Sequence, residues 1–425
     1  MFEFDKNFEM ELSSSVIKRR TNKFVLLWKI PGDEISGSVT SSPLLYNNLV
    51  VFGCGDHYLY ALDVNSGKPF WKFRASQIFV DAKPAESDGV IYMGSYDGNV
   101  YAVDAKTGKE AWRFKIGDSI YGSCLAAKGK VYFGSKDSYV YAVDAKNGKE
   151  IWRFKTGADV GSAPTLYKMM LYVGSFDGNL YALRPETGEE IWRFRTGGNI
   201  VNPLPYFAED NVLYIGCTDG NVYAIDIGER KEIWRFRTGG WILASPRPVG
   251  DFIYFVSSDG NIYCVDKDGK EVWRFRTDAY MDGSPVVLVE NGVLYYGSSN
   301  GNLYALDAKT GKELWRFKTD GEIISSPVMH EGKLYFGSMD CHFYCIGLDG
   351  REVWRFKTSS SARWKVPPAS EWFEFEVEIN EEPEETKREY GKGVNVSESE
   401  FIESEYSFKS EYHFKSEYAT KSEYR

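Results

Sequence analysis

The run Cys341-His342-Phe343-Tyr344-Cys345 holds two thiols and an imidazole, the donor types of a zinc clip. On a strand, however, residues four apart are separated by roughly 13 Å, too far for two thiolates to share one ion. Cys264 and Cys345 stand where sister segments carry Ala102 and Ala142, and Cys54 and Cys217 where they carry Ser95 and Ser135. They read as small buried side chains. His57, His330, His342 and His413 are scattered, with no serine or carboxylate arranged to complete a triad. Lys-Thr-Gly-Lys-Glu at 106–110 and 309–313 echoes a phosphate loop. Both copies lack the spaced first glycine and the hydroxyl after the lysine, and both join strands. Asn395-Val396-Ser397 matches a glycosylation acceptor, which has meaning only after export. No catalytic residue, metal ligand or cofactor is assigned.

What remains is a loop position that changes in every copy of a repeat: Ile78, Ser119, Asp159, Asn199, Trp241, Tyr280 and Glu322. A constant frame with one varying position is where a binding surface can be written, although loops also tolerate change for no functional reason. Trp241 lies off the regular tryptophan stripe and, with Tyr280, suits a contact hot spot. Asp118, Asp159, Asp282 and Glu322 would make this mouth acidic, which favours a basic peptide or a cation.

The frame is set by a phrase that recurs from Trp71-Lys72-Phe73-Arg74 to Trp354-Arg355-Phe356-Lys357, with a worn copy at Trp28-Lys29-Ile30; successive tryptophans lie 39 to 43 residues apart. Such a period marks an array of one supersecondary unit. Residues 160–195 show its parts. Strands are read at 160–167, 170–175, 179–183 and 191–195, with Asp177-Gly178 and Thr187-Gly188 in the turns. Asp-Gly, repeated at 97–98, 219–220 and 259–260, is expected to form a type I′ hairpin with positive φ at both residues. In the last strand Trp and Phe alternate with Arg and Lys, giving one apolar and one basic face.

Four antiparallel strands every ~40 residues match a propeller blade. The Tyr-Ala/Cys-aliphatic strand occurs eight times, at Tyr60, Tyr101, Tyr141, Tyr181, Tyr223, Tyr263, Tyr304 and Tyr344, so eight blades are expected. The tryptophan strand occurs nine times. Either the Trp28 strand completes the last blade, or it lies beside the Trp354 strand as an extra edge.

The consensus Gly-Ser-x-Asp-Gly-x-Φ-Tyr-Ala-Φ-Asp-x-x-Thr-Gly-x-x-x-Trp-x-Phe, across residues ~28–357, resembles the PQQ-type propeller repeat. That repeat occurs in quinoprotein alcohol dehydrogenases and in BamB-type outer-membrane assembly lipoproteins. The resemblance implies that the tryptophans dock blade on blade. It also raises PQQ-dependent catalysis, but the family's adjacent-cysteine pair is missing and no calcium ligands or catalytic aspartate can be placed. The sequence therefore favours a binding scaffold for proteins or peptides. A small-ligand or sugar sensor using the central funnel comes second, and a PQQ-dependent dehydrogenase last. A BamB-like assembly role is disfavoured because no lipoprotein signal precedes the ring.

The fold class is all-β. The domains read as an N-terminal arm at 1–24, an eight-bladed propeller at 25–358, a linker with a further edge strand at 359–380, and an acidic low-complexity tail at 381–425. The edge strand rests on alternation from Phe373 to Ile379, with Glu374, Glu376 and Glu378 on the other face. The tail repeats Ser-Glu-Tyr every six residues from Ser404 and reads as largely disordered. The formal charge of −10 sits mostly after residue 370. A nearly neutral body gives no basic excess for nucleic acid. No apolar run is long enough to span a membrane, and a monomer is expected. Unpaired cysteines and the absence of an apolar leader segment point to the cytoplasm.

Overall fold

The structure is a computed structural model that describes residues 37–358, apart from 80–81, 121, 202–205, 208–210, 278 and 280–287. Chain contacts divide it into Met1–Phe375 and Glu376–Arg425, and the second unit lies wholly outside the described residues. So do the arm, the Trp28 strand and the 373–379 strand expected from the sequence.

Eight four-stranded antiparallel sheets follow one another, each built from four consecutive strands. Blade one comprises Leu44–Tyr46, Leu49–Gly53, Tyr58–Asp63 and Pro69–Arg74. Blades two to eight cover 85–115, 125–155, 165–195, 206–237, 247–276, 288–318 and 328–357. The Trp354 strand, Glu352–Lys357, is thus the fourth strand of blade eight, and the ring needs no strand borrowed from the other chain end.

The turns depart from expectation in an instructive way. The two-residue turns with positive φ at both positions join strands one and two, at Asp88-Gly89 (54° and 76°), Lys128-Gly129 (52° and 71°) and Asn291-Gly292 (52° and 77°). At Asp97-Gly98 only the glycine is left-handed, at 75°. Ser95 N donates to Asn99 O and Gly98 N donates to Ser95 O, a three-residue connection closed by one left-handed residue. The aspartate is there for its carboxylate, which accepts from Asn99 N at 2.9 Å and from the Tyr101 hydroxyl at 2.6 Å. His57, Ser138 and Cys341 take the glycine position at φ of 72°, 68° and 68°.

The outer strand is not simply two-faced. Ala102 pairs with Trp112 but Val103 pairs with Glu110, so a bulge sits at residue 111, and the same shift recurs in all eight blades; in the fifth the pairing runs one pair further, to Asp226 and Lys231. Residues three apart on a regular strand point to opposite faces. The bulge brings Glu110 and Arg113 to one face, where they pair at 2.6 Å. The basic face expected from alternation is therefore neutralised locally by Glu110, Glu150, Glu190, Glu232, Glu271, Glu313 and Glu352.

Blades pack through one repeated contact chain. Trp71 donates its indole N–H to Ala105 O in blade two at 2.8 Å. Phe73 meets Tyr101 edge-on at 5.2 Å, and the Arg113 guanidinium covers that tyrosine at 5.1 Å. Each hydrophobic cluster draws on two neighbouring blades, so burial requires the neighbour. The last cluster joins Tyr335, Phe343 and Cys345 of blade eight to Val50, Phe52 and Tyr60 of blade one. Phe52 stacks on Phe343 at 4.1 Å, and Thr358 Oγ1 donates to Gly37 O at 2.6 Å.

Candidate functional site

The loops leaving each outer strand cross to the next blade on the face that also carries the Asp-Gly turns. In each, the varying residue has its backbone held the same way. Asp159 O accepts from Phe176 N in blade four at 2.9 Å, and the next residue, Val160 N, donates to Ser135 O in blade three at 3.0 Å. The same carbonyl bond is made by Ser38, Ile78, Ser119, Asn199, Trp241 and Glu322. Close approach of the following residue explains the second-strand glycine: a side-chain carbon on Gly174 would overlap Ile200. A fixed backbone thus presents six different side chains over these seven stations, serine alone occurring twice.

The stations are not equivalent in exposure. Asn199 and Asp118 are exposed; Ser119, Asp159, Trp241 and Glu322 are half-buried, and Ile78 is buried. Trp241 is therefore less open than its place off the stripe implies. Its backbone N–H donates to Ser258 Oγ at 2.7 Å. Tyr280 and Asp282 lie outside the described residues. Asp118 does act on Asp159: burial raises the Asp159 carboxyl, Lys136 opposes it, and the Asp118 and Asp137 charges add to the rise. The other named residues are spread round the ring, one to a blade junction. The mouth also carries cations that the acidic reading left out. Lys155 Nζ donates to Asp137 O at 2.9 Å and an Arg195 guanidinium nitrogen to Asp177 O at 2.7 Å, capping the turns.

A second feature lies on the axis. Lys83 precedes the first strand of blade two, and Arg247 opens that of blade six. Opposite blades of an eight-bladed ring face each other only across the axis, yet the Arg247 charge reaches Lys83: burial first, then that charge, lowers the Lys83 amine below its ordinary value. Lys83 stays in contact with solvent, as a side chain inside a channel does. Its backbone N–H donates to Ser123 Oγ at 2.8 Å, as Ser326 N does to Ser42 Oγ at 3.0 Å. The signal was present in the sequence. Lys83-Pro84 stands where other blades have Ser42-Pro43, Ser245-Pro246 and Ser326-Pro327, and Arg247 where they have Leu44, Ala85, Leu125 and Val328.

All six cysteines are free and buried. Burial pushes Cys217 and Cys264 up to about 12, which leaves them poor nucleophiles and ligands. Among the described residues no group of three or more His, Cys, Asp or Glu converges to hold a metal ion. Among them, too, no helix is long and apolar enough to cross a membrane.

Over residues 76–279 the chain matches a family model described as the β-propeller of a beta-alanine-activating enzyme. Over residues 258–374 it matches one described as outer membrane protein assembly factor BamB. BamB from Moraxella catarrhalis is a similar solved structure, with a TM-score of 0.62 and 17% identity over 77% of this chain and 98% of that one. The computationally designed Ika8 protein gives 0.63 and 17% over 74% and 98%. A europium-containing methanol dehydrogenase gives 0.62 and 17% over 70% and 83%. No protein of curated function matches by sequence. At this identity the structural likenesses establish the fold.

The cytoplasmic location expected from the sequence is corrected by these matches, since both a matching family and a similar structure carry the name of an outer-membrane assembly factor. The physical reason is plain: the thiols are unpaired because packing buries each of them, which says nothing about a reducing compartment. The repeat, the eight sequential blades and the matches together make this chain an eight-bladed β-propeller distantly similar to the PQQ/BamB-like family.

Proposed function

We propose that this propeller is a binding scaffold that holds a protein or peptide partner on its Asp-Gly face. The observation that supports this reading most is the shared backbone geometry of the stations at Ser38, Ile78, Ser119, Asp159, Asn199, Trp241 and Glu322, which carry seven placements but few repeated side chains. Trp241 supplies apolar area, Asn199 an amide, and the Asp118–Asp159 pair a negative charge that fits a basic segment. The description of the family matched at 258–374, an assembly factor, is in keeping with a protein that holds others. The test is site-specific photocrosslinking in cells, from Asn199 and Glu322 on this face and from Lys146 and Lys309 on the opposite one. A partner captured only from the first pair, whose purified form loses at least tenfold affinity for Trp241→Ala, supports the reading. Identical capture from both faces overturns it.

A second reading, a small anionic ligand in the funnel, is favoured by the placement of Lys83 and Arg247 on opposite blades, with the Arg247 charge acting on the Lys83 amine. Inorganic pyrophosphate that stabilises the protein, and fails to stabilise Lys83→Met, would support it.

A further inference from the structure

The arginine that completes the contact chain between blades is replaced at one place. At six junctions an arginine lies 5.0 to 5.6 Å over the tyrosine that the preceding blade's phenylalanine meets, as with Arg193 over Tyr181 and Arg355 over Tyr344. In blade three Arg153 shifts to Tyr139, at 5.7 Å. Where blade eight meets blade one, Phe356 still reaches Tyr60, at 5.5 Å. But Lys72 stands in the arginine position and Pro69 in that of its glutamate. A lysine has no planar group to lay on the ring. Lys72 Nζ instead lies over Tyr58 at 4.4 Å.

The plate and its partner carboxylate are missing, and a cleft of about 290 Å³ lies there, lined by Tyr60, Pro69, Phe70, Trp71, Lys72, Phe356 and Lys357. Phe70 is 63% exposed, in a position that carries aliphatics such as Ile151 and Val353 elsewhere. The cleft is therefore aromatic, with a lysine on either side and no carboxylate in its lining. Its chemistry suits a short segment in which aromatic and acidic residues alternate.

We propose that this seam cleft binds residues 371–375 of the same chain, Glu371-Trp372-Phe373-Glu374-Phe375. The segment has three aromatics and two carboxylates and matches the lining in both respects. The described chain ends at Thr358, next to Lys357 in the cleft wall, so the segment starts close by. Residues 359–370 can extend about 40 Å, more than enough to return to the seam. A tether this short gives an effective concentration in the millimolar range, so modest contacts suffice. Of the other aromatic segments, Trp28-Lys29 would bring a third cation to the two lysines, and Phe2-Glu3-Phe4-Asp5 has two aromatics in place of three and a longer tether, to Gly37. Docking would cover Phe70 and blunt the outer edge at the one junction where the repeat does not do so itself.

The test is hydrogen exchange on the full chain, read by mass spectrometry beside a synthetic peptide of residues 369–379. Amides at 373–375 are expected to exchange at least tenfold more slowly in the chain than in the peptide. Lys72→Glu with Lys357→Glu should abolish that difference, whereas Lys155→Glu in blade three should leave it. Peptides from 222–236 report whether the ring stays folded. If the double reversal unfolds it, Phe373→Ser with Phe375→Ser replaces it, and faster exchange at 69–72 and 356–357 is the expected result. Equal exchange in chain and peptide overturns the proposal, as does protection that survives both double variants. Protection that disappears on dilution also overturns it, since it would place the segment in a second copy.

Discussion

Trp354 in the last blade lies against Gly67 in the first: a side-chain carbon on Gly67 would come within 2.6 Å of the indole, whose N–H donates to Val64 O at 3.2 Å. The same pairing joins Trp71 to Gly108, Trp152 to Gly188 and Trp273 to Gly311, so the ring closes with the contact that builds it. The exception is Trp192: the next blade has Arg230 (φ 58°) at the glycine position, and Trp192, alone of the eight among the described residues, makes no indole hydrogen bond. Trp354→Ala is therefore expected to cost about 3 kcal/mol in urea unfolding. Trp192→Ala should cost about 1 kcal/mol less, because no hydrogen bond is lost. Equal losses would show that the indole N–H contributes nothing to docking.

Closure inside blade eight also bears on the ninth tryptophan strand. With Trp354 in its own sheet, no described blade lacks a fourth strand. A chain without residues 1–34 is expected to melt at the temperature of the full chain. A fall of several degrees would mean that the first residues do hold the ring.

Blade number, strand order and the packing role of Trp and Phe were legible because each is written eight times and rests on period and polarity. Turn type was legible only in part. Asp97-Gly98 has the composition of a type I′ turn, but the Tyr101 hydroxyl and Asn99 N–H claim the aspartate carboxylate, and the two-residue turns fell to Asp88-Gly89 and its sisters instead. The bulge that pairs Glu110 with Arg113 was not legible, because strict alternation in Trp-Arg-Phe-Lys gives no sign of it. Lys83 and Arg247 were visible as breaks in the repeat, but only the ring closure shows that blades two and six face each other. The Asp118 charge acts on Asp159 because Asp118 adjoins the Ser119 station, one junction before Asp159, whereas Trp241 and Glu322 are not on consecutive junctions.

The buried tyrosines set an alkaline limit. Burial pushes Tyr92, Tyr132 and Tyr172 up to about 12, and burial with the hydrogen bond to Asp97 or Asp177 does the same for Tyr101 and Tyr181. A raised pKa means the folded state holds the phenolic proton more tightly than the unfolded chain. That stability is complete below the ordinary value of 10 and is lost as pH rises through 10 to 12. Absorbance at 295 nm is expected to show these tyrosines ionising only as the protein unfolds. Ionisation near pH 10 with the near-ultraviolet dichroism intact would contradict this.

Lys83 gives the opposite slope. Its folded-state pKa lies below the ordinary 10.5, so between the two values the unfolded chain binds more protons, and stability rises with pH across that window. Below it, the charged amine opposes folding. Lys83→Met is expected to melt higher than the unmodified protein at pH 7, with the gain shrinking as pH approaches 10.5. Comparing the two proteins at each pH cancels the tyrosine contribution. A gain that does not change with pH would assign the effect to packing.

Restoring the repeat at the seam is the sharpest check on why the cleft exists. Pro69→Glu with Lys72→Arg gives blade one the pair found at Glu110–Arg113 and Glu352–Arg355, and the same bulge is present, with Ala61 opposite Trp71 and Leu62 opposite Pro69. The new guanidinium can then lie over Tyr60 as Arg355 lies over Tyr344 at 5.6 Å. A cation–π contact at an exposed site contributes about 0.5–1 kcal/mol and an exposed ion pair about 0.2–1 kcal/mol. The double variant is expected to gain about 1 kcal/mol in urea unfolding and to close the cleft. Lys72→Arg alone should gain less, since no carboxylate then orients the guanidinium. If the cleft instead reflects a mismatch in how blades eight and one approach, neither variant will gain, and the cause would lie in the Phe52–Phe343 stack between the two blades, whose ring centroids are 4.1 Å apart.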